Sequence, residues 1–521
     1  MQTLTPPPEI SAHNSVEEIV RRCPSTRRVF DQHGLKGCGG EHGPAESLQF
    51  FAAVHQVELE TLLSELWAEI EHPRPYVPLF STDDAIYRRF FKLGIVTVMT
   101  LGCMWGAINL LQIAVGGSFL RIDLLPAIHA HAHAMIWGWV AAFVMGFAYQ
   151  SFPRFKNTTL WRPELARASF ALIIGGILAR AVAELGQPAP YALWAGGISA
   201  ALEIAAACLF VTILFRTARQ SKEPPAGHEK FLVAAFFWFV VQSVLSPLFF
   251  FAKATAATQD QLVMRIATID GPLRDIQLLG FAVLIIAGVS QRFLPGVYGL
   301  EQPARDRSSL IFAMINGSLL LNVASYVLLL RTHEPVFALT LGLAYLQMPV
   351  WAVLLVKQLR VFGPAANPDR SLKFVRTAYA WLLAATFMMP LFPIYNALTG
   401  QMFAHSYMGA QRHALTVGFI SLMILGVSSR VAPILSGVDA RRLDSLWWPF
   451  MLLNIGNAGR VGLQILTDFV PRVAYPLVGF TGFIEVTALA WWGIGLWRVM
   501  NHKTARKPVA ATPELVSIQG A

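Results

Sequence analysis

The chain has 521 residues, 55% of them hydrophobic and 14% charged, with a mean hydropathy of +0.50. That balance excludes an ordinary soluble protein, because runs of about 20 apolar residues, the length needed to cross a bilayer, recur along most of it. The net charge of +10 does not point to nucleic acid, since the basic residues follow membrane topology, and the 4 cysteines are too few and scattered for a disulfide framework.

Residues 1–73 are polar and lack the basic-then-apolar pattern of a secretory signal. They read as a small soluble helical domain, with Ser15 and Glu18 placed to form a capping box at its first helix. Cys38 in the run Gly37-Cys38-Gly39-Gly40 has two readings: a glycine-rich turn around a buried thiol, or a redox-active or metal-sensing thiol acting with Cys23, His33 or His42. Pro73, Pro75 and Pro78 mark a linker over 74–90. The region 91–500 is expected to be an all-α membrane domain, because only helices or closed barrels satisfy a backbone in lipid. Twelve spans are predicted, near 92–116, 129–153, 167–187, 191–216, 231–254, 275–297, 308–331, 335–357, 374–397, 409–433, 445–467 and 473–499. Cys103 and Cys208 fall within helices and read as core filler. Basic residues crowd the amino-terminal region (Arg88, Arg89, Lys92), the loops after even-numbered helices (Arg154, Lys156, Arg441, Arg442) and the tail. The loop holding Arg265 and Arg274 is an imperfect fit. The positive-inside rule then places both termini in the cytoplasm. Residues 501–521 read as a basic, disordered tail.

One template recurs three times. His133, Gly138, Gly146 and Pro153 reappear at identical offsets as Asp275, Gly280, Gly288 and Pro295, and as His413, Gly418, Gly426 and Pro433. Twenty-seven residues beyond each proline stand Arg180, Asn322 and Arg460; the following helices carry Glu203, Gln347 and Glu485; each first helix opens on a basic-Phe pair ending in Phe90, Phe231 or Phe374. The expected architecture is therefore three pseudo-symmetric units of four helices. The glycines read as close-packing positions. Arg180, Glu184, Glu203, Arg460 and Glu485 cost too much in lipid to lack partners: an Arg–Glu pair tying each unit together is one expectation, and a role facing a haem propionate or a proton route is the other.

Five histidines lie in or beside apolar helices: His129, His131, His133, His405 and His413. The repeat puts His133 and His413 at equal depth and lets both face one central space, an arrangement suited to axial ligation of haem iron. His129 shares a face with His133 while His131 points the other way, so one of them, with His405, could serve a second centre. Neutral imidazole suits copper as well as iron.

These features resemble the catalytic subunit of haem–copper oxidases and nitric oxide reductases, in which histidines on helices two and ten hold the low-spin haem; the matching positions are His133 and His413. The copper-site positions of that family are Asp275 and Asn322 here, which argues against a conventional oxygen-reducing oxidase. A closer resemblance is to the NnrS family, carried by His131-Ala132-His133-Ala134-Met135-Ile136-Trp137-Gly138 and by His413 to Gly418 with Gly426 and Arg430. Ala134 stands where that family usually has glutamate. The amino-terminal region resembles the small domain of ScdA-type iron-centre repair proteins. The resemblance implies a bacterial inner-membrane protein that carries b-type haem, with copper as a second metal, and binds, detoxifies or reduces nitric oxide. A reductase would draw on an electron donor, a quinol or a cytochrome c. A non-enzymatic haem or copper carrier is the alternative, although no helix reads as broken within the membrane, as transporter helices often are.

Overall fold

A computed structural model describes residues 10–36, 38–76, 85–119, 121–301, 303 and 305–502. Part of the expected linker, including Pro78, and the tail from Lys503 lie outside them.

The head begins with α1 (Val16–Arg22), whose first turn is capped by the Ser15 hydroxyl accepting from Glu18 N at 3.1 Å. The reciprocal half of the expected capping box is replaced: Asn14 Nδ2 holds the Glu18 carboxylate at 3.2 Å. Helices α2 (Arg27–Gln32), α3 (Leu48–His55) and α4 (Leu59–Glu71) close a small core around Val16, Phe30, Leu48, Phe51 and Leu62.

Eleven stretches are long and apolar enough to cross a membrane. The first, Ile86–Gly116, starts six residues earlier than its apolar run suggested and is broken, which corrects the expectation of uninterrupted helices. It consists of α5 (Ile86–Val98) and α6 (Cys103–Gly116), separated by a turn at Gly102 in which Thr97 O accepts from both Thr100 N and Gly102 N. Then come α7 (Ile122–Phe155), α8 (Pro163–Leu185), α9 (Tyr191–Gln220), α10 (Glu229–Ala254), α11 (Gln259–Tyr298), α12 (Ser308–Thr332), α13 (Pro335–Leu359), α14 (Leu372–Thr399), α15 (His405–Ser436) and α17 (Pro471–Met500). Between the last two, 445–467 forms α16 (Trp447–Leu466), a 20-residue helix outside the set of eleven. Helix α11 begins well before residue 275, so Arg274, read from sequence as a loop residue, lies inside a helix with its side chain only 13% exposed.

The repeat is visible in the packing. Helices α8 with α9, α12 with α13, and α16 with α17 form close pairs, and α5, α10 and α14 pack against α7, α11 and α15. Neighbouring sets join as α9 on α10, α13 on α14 and α17 on α6, closing a ring. The template glycines make the close approaches expected of them. A Cβ at Gly146, Gly288 or Gly426 would meet the Cβ of Phe90, Phe231 or Phe374 at 2.7, 2.8 and 3.1 Å. One at Gly138, Gly280 or Gly418 would meet Thr97, Trp238 or Trp381, each seven residues beyond its phenylalanine. Junction chemistry recurs too: Tyr298 hydrogen-bonds Ser371 at 2.6 Å and, with the residue types exchanged, Ser436 hydrogen-bonds Tyr87 at 2.9 Å.

The head docks on the carboxyl-terminal ends of the three template helices. Arg154 donates to Lys36 O at 2.8 Å, Arg430 reaches Glu46 at 3.4 Å and lies over the Phe50 ring, and Ile434 and Leu435 pack on the head core. The histidines sit near the opposite ends of α7 and α15; on α7, His133 is about 30 Å from Arg154 at 1.5 Å per residue.

Candidate functional site

Each template helix changes its winding within two residues of the His, Asp, His position. The backbone runs as π-helix over Met135–Ala141, Ile276–Val283 and Ala414–Ser421. Such segments are rare and gather at functional sites, and three at equivalent positions mark this end of the bundle.

The run His129-Ala130-His131-Ala132-His133-Ala134 alternates large polar and small residues, so neighbouring helices can approach on every side. His131 leaves α7 toward the broken first helix. Its Nδ1 donates to Gly102 O at 2.9 Å, and its ring lies so close to α6 that a Cβ at Gly106 would stand 2.5 Å from it. On α15, His413 Nδ1 donates to Gly409 O at 3.0 Å. A carbonyl can only accept, so in both rings the proton is on Nδ1 and the Nε2 lone pair is unused by these bonds. His413 lies within electrostatic reach of His131 and of Arg460 on α16.

His133, expected to face His413, is turned toward α9 instead. Its Nε2 donates to Glu203 Oε1 at 2.6 Å, and the same oxygen accepts from Ser199 Oγ at 3.1 Å. His129 accepts at Nδ1 from Lys253 Nζ at 2.8 Å; Lys253 also donates to Glu184 at 2.9 and 3.1 Å, and Arg180 Nε donates to Glu184 at 3.1 Å. His405 opens α15 exposed, its ring centroid 4.9 Å from that of Phe403, and no contact links it to His129, His131 or His413. Among the described residues no group of three or more His, Cys, Asp or Glu side chains is placed to hold a metal ion.

The intramembrane charges also pair differently from the Arg–Glu scheme. Arg180 takes its acid from its own helix, and Glu203 takes a histidine. At the equivalent place in the second copy, Asn322 donates to Asp275 at 2.7 Å. In the third, Arg460 and Glu485 are within electrostatic reach, yet Arg460 Nε and Nη1, Glu485 Oε1, both polar atoms of the Asn457 amide and Gln464 Oε1 are buried without hydrogen-bond partners. Asn457, Arg460 and Gln464 share one face of α16 at helical spacing, and a Cβ at Gly409 would stand 2.3 Å from Gln464.

Sequence reading missed Lys253 and Asp270. Asp270 accepts from Arg274 at 3.1 Å and from Arg412 at 3.3 Å. The available signals were a lysine at the end of an apolar run and an Asp–Arg pair four residues apart, the spacing of one helix face.

In the head, Cys38 is buried with Sγ 3.9 Å from Ile434 O, and neither Cys23 nor Cys38 is in a disulfide. Gly39 has φ +74°, and a Cβ there would meet Pro44 N at 2.2 Å, so the glycine-rich turn is required by the backbone. Burial pushes the Cys23 thiol up, against the smaller opposite effect of Arg22, which keeps it protonated and weakly reactive. His33 pairs with Glu65 at 2.5 Å. Cys103 is buried as expected, whereas Cys208 is exposed on the outside of the bundle and fills no core.

The fold and site define a polytopic α-helical membrane protein with imidazoles and unpartnered charges buried at one end of a helical ring. A family model described as NnrS protein matches residues 84–503, and the chain belongs to the NnrS family. No curated protein matches it.

Proposed function

We propose that the protein binds haem between His131 and His413 and acts on nitric oxide, by binding, detoxification or reduction, at the face of the membrane away from the head. The observation that carries the haem reading is the matched pair of rings: each has Nδ1 tied to a backbone carbonyl, the support that orients metal-ligating histidines and leaves Nε2 for the metal. The unpartnered N–H groups of Arg460 are donors suited to a carboxylate such as a haem propionate. Haem held by two imidazoles would supply electron transfer. The protein's part is to fix both tautomers through Gly102 and Gly409 and to hold positive charge at Arg460. His133, engaged with Glu203, is a supporting group in this scheme. The residues offered for copper do not gather, so no copper chemistry is derived. The nitric oxide role and a bacterial inner membrane rest on likeness to the NnrS family, and cytoplasmic termini rest on the distribution of basic residues.

The test is the reduced-minus-oxidised spectrum and haem content of purified protein. His131→Ala and His413→Ala should each remove most of the Soret absorbance, and His133→Ala and His405→Ala should keep it. Full haem content in folded His131→Ala or His413→Ala would overturn the assignment. The break between α5 and α6 favours a second reading, a carrier, because discontinuous helices beside a polar site are a transporter feature; haem or copper released on exchange, without turnover, would support it.

A further inference from the structure

A cavity of about 340 Å³ lies between the head and the ends of the template helices, at the end of the bundle opposite His131, His133 and His413. His33, Cys38, Glu46 and His55 of the head line it, facing Arg154 of α7 and Arg292 of α11. Its charges are unevenly matched. Glu46 is held by Arg430, and Arg154 donates to the Gln150 and Lys36 carbonyls. His55 is neutral, since burial and then Arg292 and Arg154 push it down to about 3. Arg292 lies 5.5 Å over the Phe155 ring and, among the described residues, forms no ion pair, although Glu223 also lines the cavity. A half-buried guanidinium without a carboxylate is an anion-binding group.

The remaining walls are largely apolar, with Phe50, Phe51 and Phe293 among them. Phe155 and Phe293 also line a second cavity of about 110 Å³, in the middle of the ring among α7, α11 and α15, whose only polar lining residues are Ser290 and Ser428. A dry apolar space of this order takes hydrocarbon; one of about 150 Å³ holds benzene. A charged chamber therefore meets an apolar one at two phenylalanines.

We propose that this double chamber binds an amphipathic anion, an aliphatic chain bearing a carboxylate or phosphate, with Arg292 on the charged group and Phe155 and Phe293 on the chain. Because the chamber is walled by both parts of the molecule, the ligand would bridge the head and the membrane domain.

The experiment is calorimetric titration of the full-length protein in phosphatidylcholine nanodiscs with octanoate, octyl phosphate, 1-octanol and inorganic phosphate. One octanoate or octyl phosphate should bind per chain, with octanol and inorganic phosphate at least tenfold weaker. Tighter octanoate would indicate a free fatty acid as the natural source, and tighter octyl phosphate a phospholipid-type headgroup. Arg292→Gln should weaken binding at least tenfold. Arg292→Lys should retain it within about threefold, which guards against misfolding, and Arg441→Gln, on the exposed loop, should match wild type. The proposal fails if octanol equals octanoate, if inorganic phosphate equals octyl phosphate, or if Arg292→Gln binds like wild type. None of these outcomes depends on haem.

Discussion

The bond between His133 and Glu203 decides whether that histidine supports the bundle or ligates iron. Glu203 is fully buried and His133 only 5% exposed. One carboxylate oxygen takes both the imidazole and Ser199, and the other is buried with no partner, so the acid depends on few bonds. A hydrogen bond to a charged group contributes about 1.5–3 kcal/mol in a protein interior. Interhelical polar contacts within membranes couple more weakly, on average ~0.6 and at most ~1.7 kcal/mol. A 2.6 Å contact at this depth belongs near the upper end of that range, so a double-mutant cycle of His133→Ala and Glu203→Ala should give a coupling of about 1–2 kcal/mol. Each single change should cost more than the coupling, about 3 kcal/mol, because it leaves the surviving partner buried and unsatisfied. Glu203→Gln keeps the acceptor oxygen and should cost about 1 kcal/mol. The assay is reversible unfolding in mixed micelles, with haem content measured on the same samples. Coupling near zero, or a folded His133→Ala protein without haem, would refute the argument and restore His133 as a ligand.

Three further outcomes follow from the geometry. Gly418→Ala places a methyl 2.5 Å from Trp381 and should cost about 1–3 kcal/mol, whereas Gly462→Ala, where a Cβ meets nothing within 4 Å, should leave thermal stability unchanged or slightly raised; equal melting temperatures would contradict the close-packing role. Lys253→Met leaves Glu184 with Arg180 and Gln187 and His129 without its donor, and should destabilise by ~3 kcal/mol in the same micelle assay, unless the lysine only fills space. In the head, burial would raise the Glu69 carboxyl, but hydrogen bonds from Arg28 and from the Arg74 backbone outweigh it and hold it below the ordinary carboxylate value. The stability this gives is present above the unfolded value near 4.5 and is lost as pH falls through the lowered one. Protease cleavage of the head in full-length protein should therefore accelerate below about pH 4.5, and Glu69→Gln should flatten that dependence. A Glu69→Gln profile parallel to wild type would dismiss the carboxylate as its source.

How much of this was legible in the sequence depends on what fixed each feature. The template glycines and the phenylalanines opposite them are a backbone-approach requirement, which residue type and spacing express directly, so the helix order and the repeat could be read from the chain. The polar contacts could not. His133 and His413 occupy equivalent positions, and equivalence suggested that they face each other. Which way a ring turns depends on the neighbour that offers an acceptor, and that neighbour is Glu203 for one and the carbonyl of Gly409 for the other. The break at Gly102 was equally hidden. The run Thr97-Val-Met-Thr-Leu-Gly102 holds no charge and no proline, and hydropathy does not register a turn whose carbonyl is taken by a histidine 29 residues away.

The same comparison explains why one scaffold carries three chemistries. Ring closure needs only the features all three copies keep: the two glycines, the facing phenylalanine and the helix pairs. The template position just before each π-helical segment is not used for closure, so it was free to differ, and its partner differs with it: Glu203 for His133, Asn322 for Asp275, and for His413 the Gly409 carbonyl, beside a face of α16 on which Asn457, Arg460 and Gln464 keep buried atoms without protein partners. In the first two copies the template residue itself is met by a side chain of the bundle, although Glu203 Oε2 and Arg180 Nη1 stay without partners. The third is left open beside His131, the one histidine of α7 that points toward it. An open polar face in the interior costs about 1–3 kcal/mol for each unsatisfied group, a cost that a bound group would offset. A group bound between the first and third copies, as proposed for haem, would meet this open face, whereas at Asp275 the second copy is closed by Asn322.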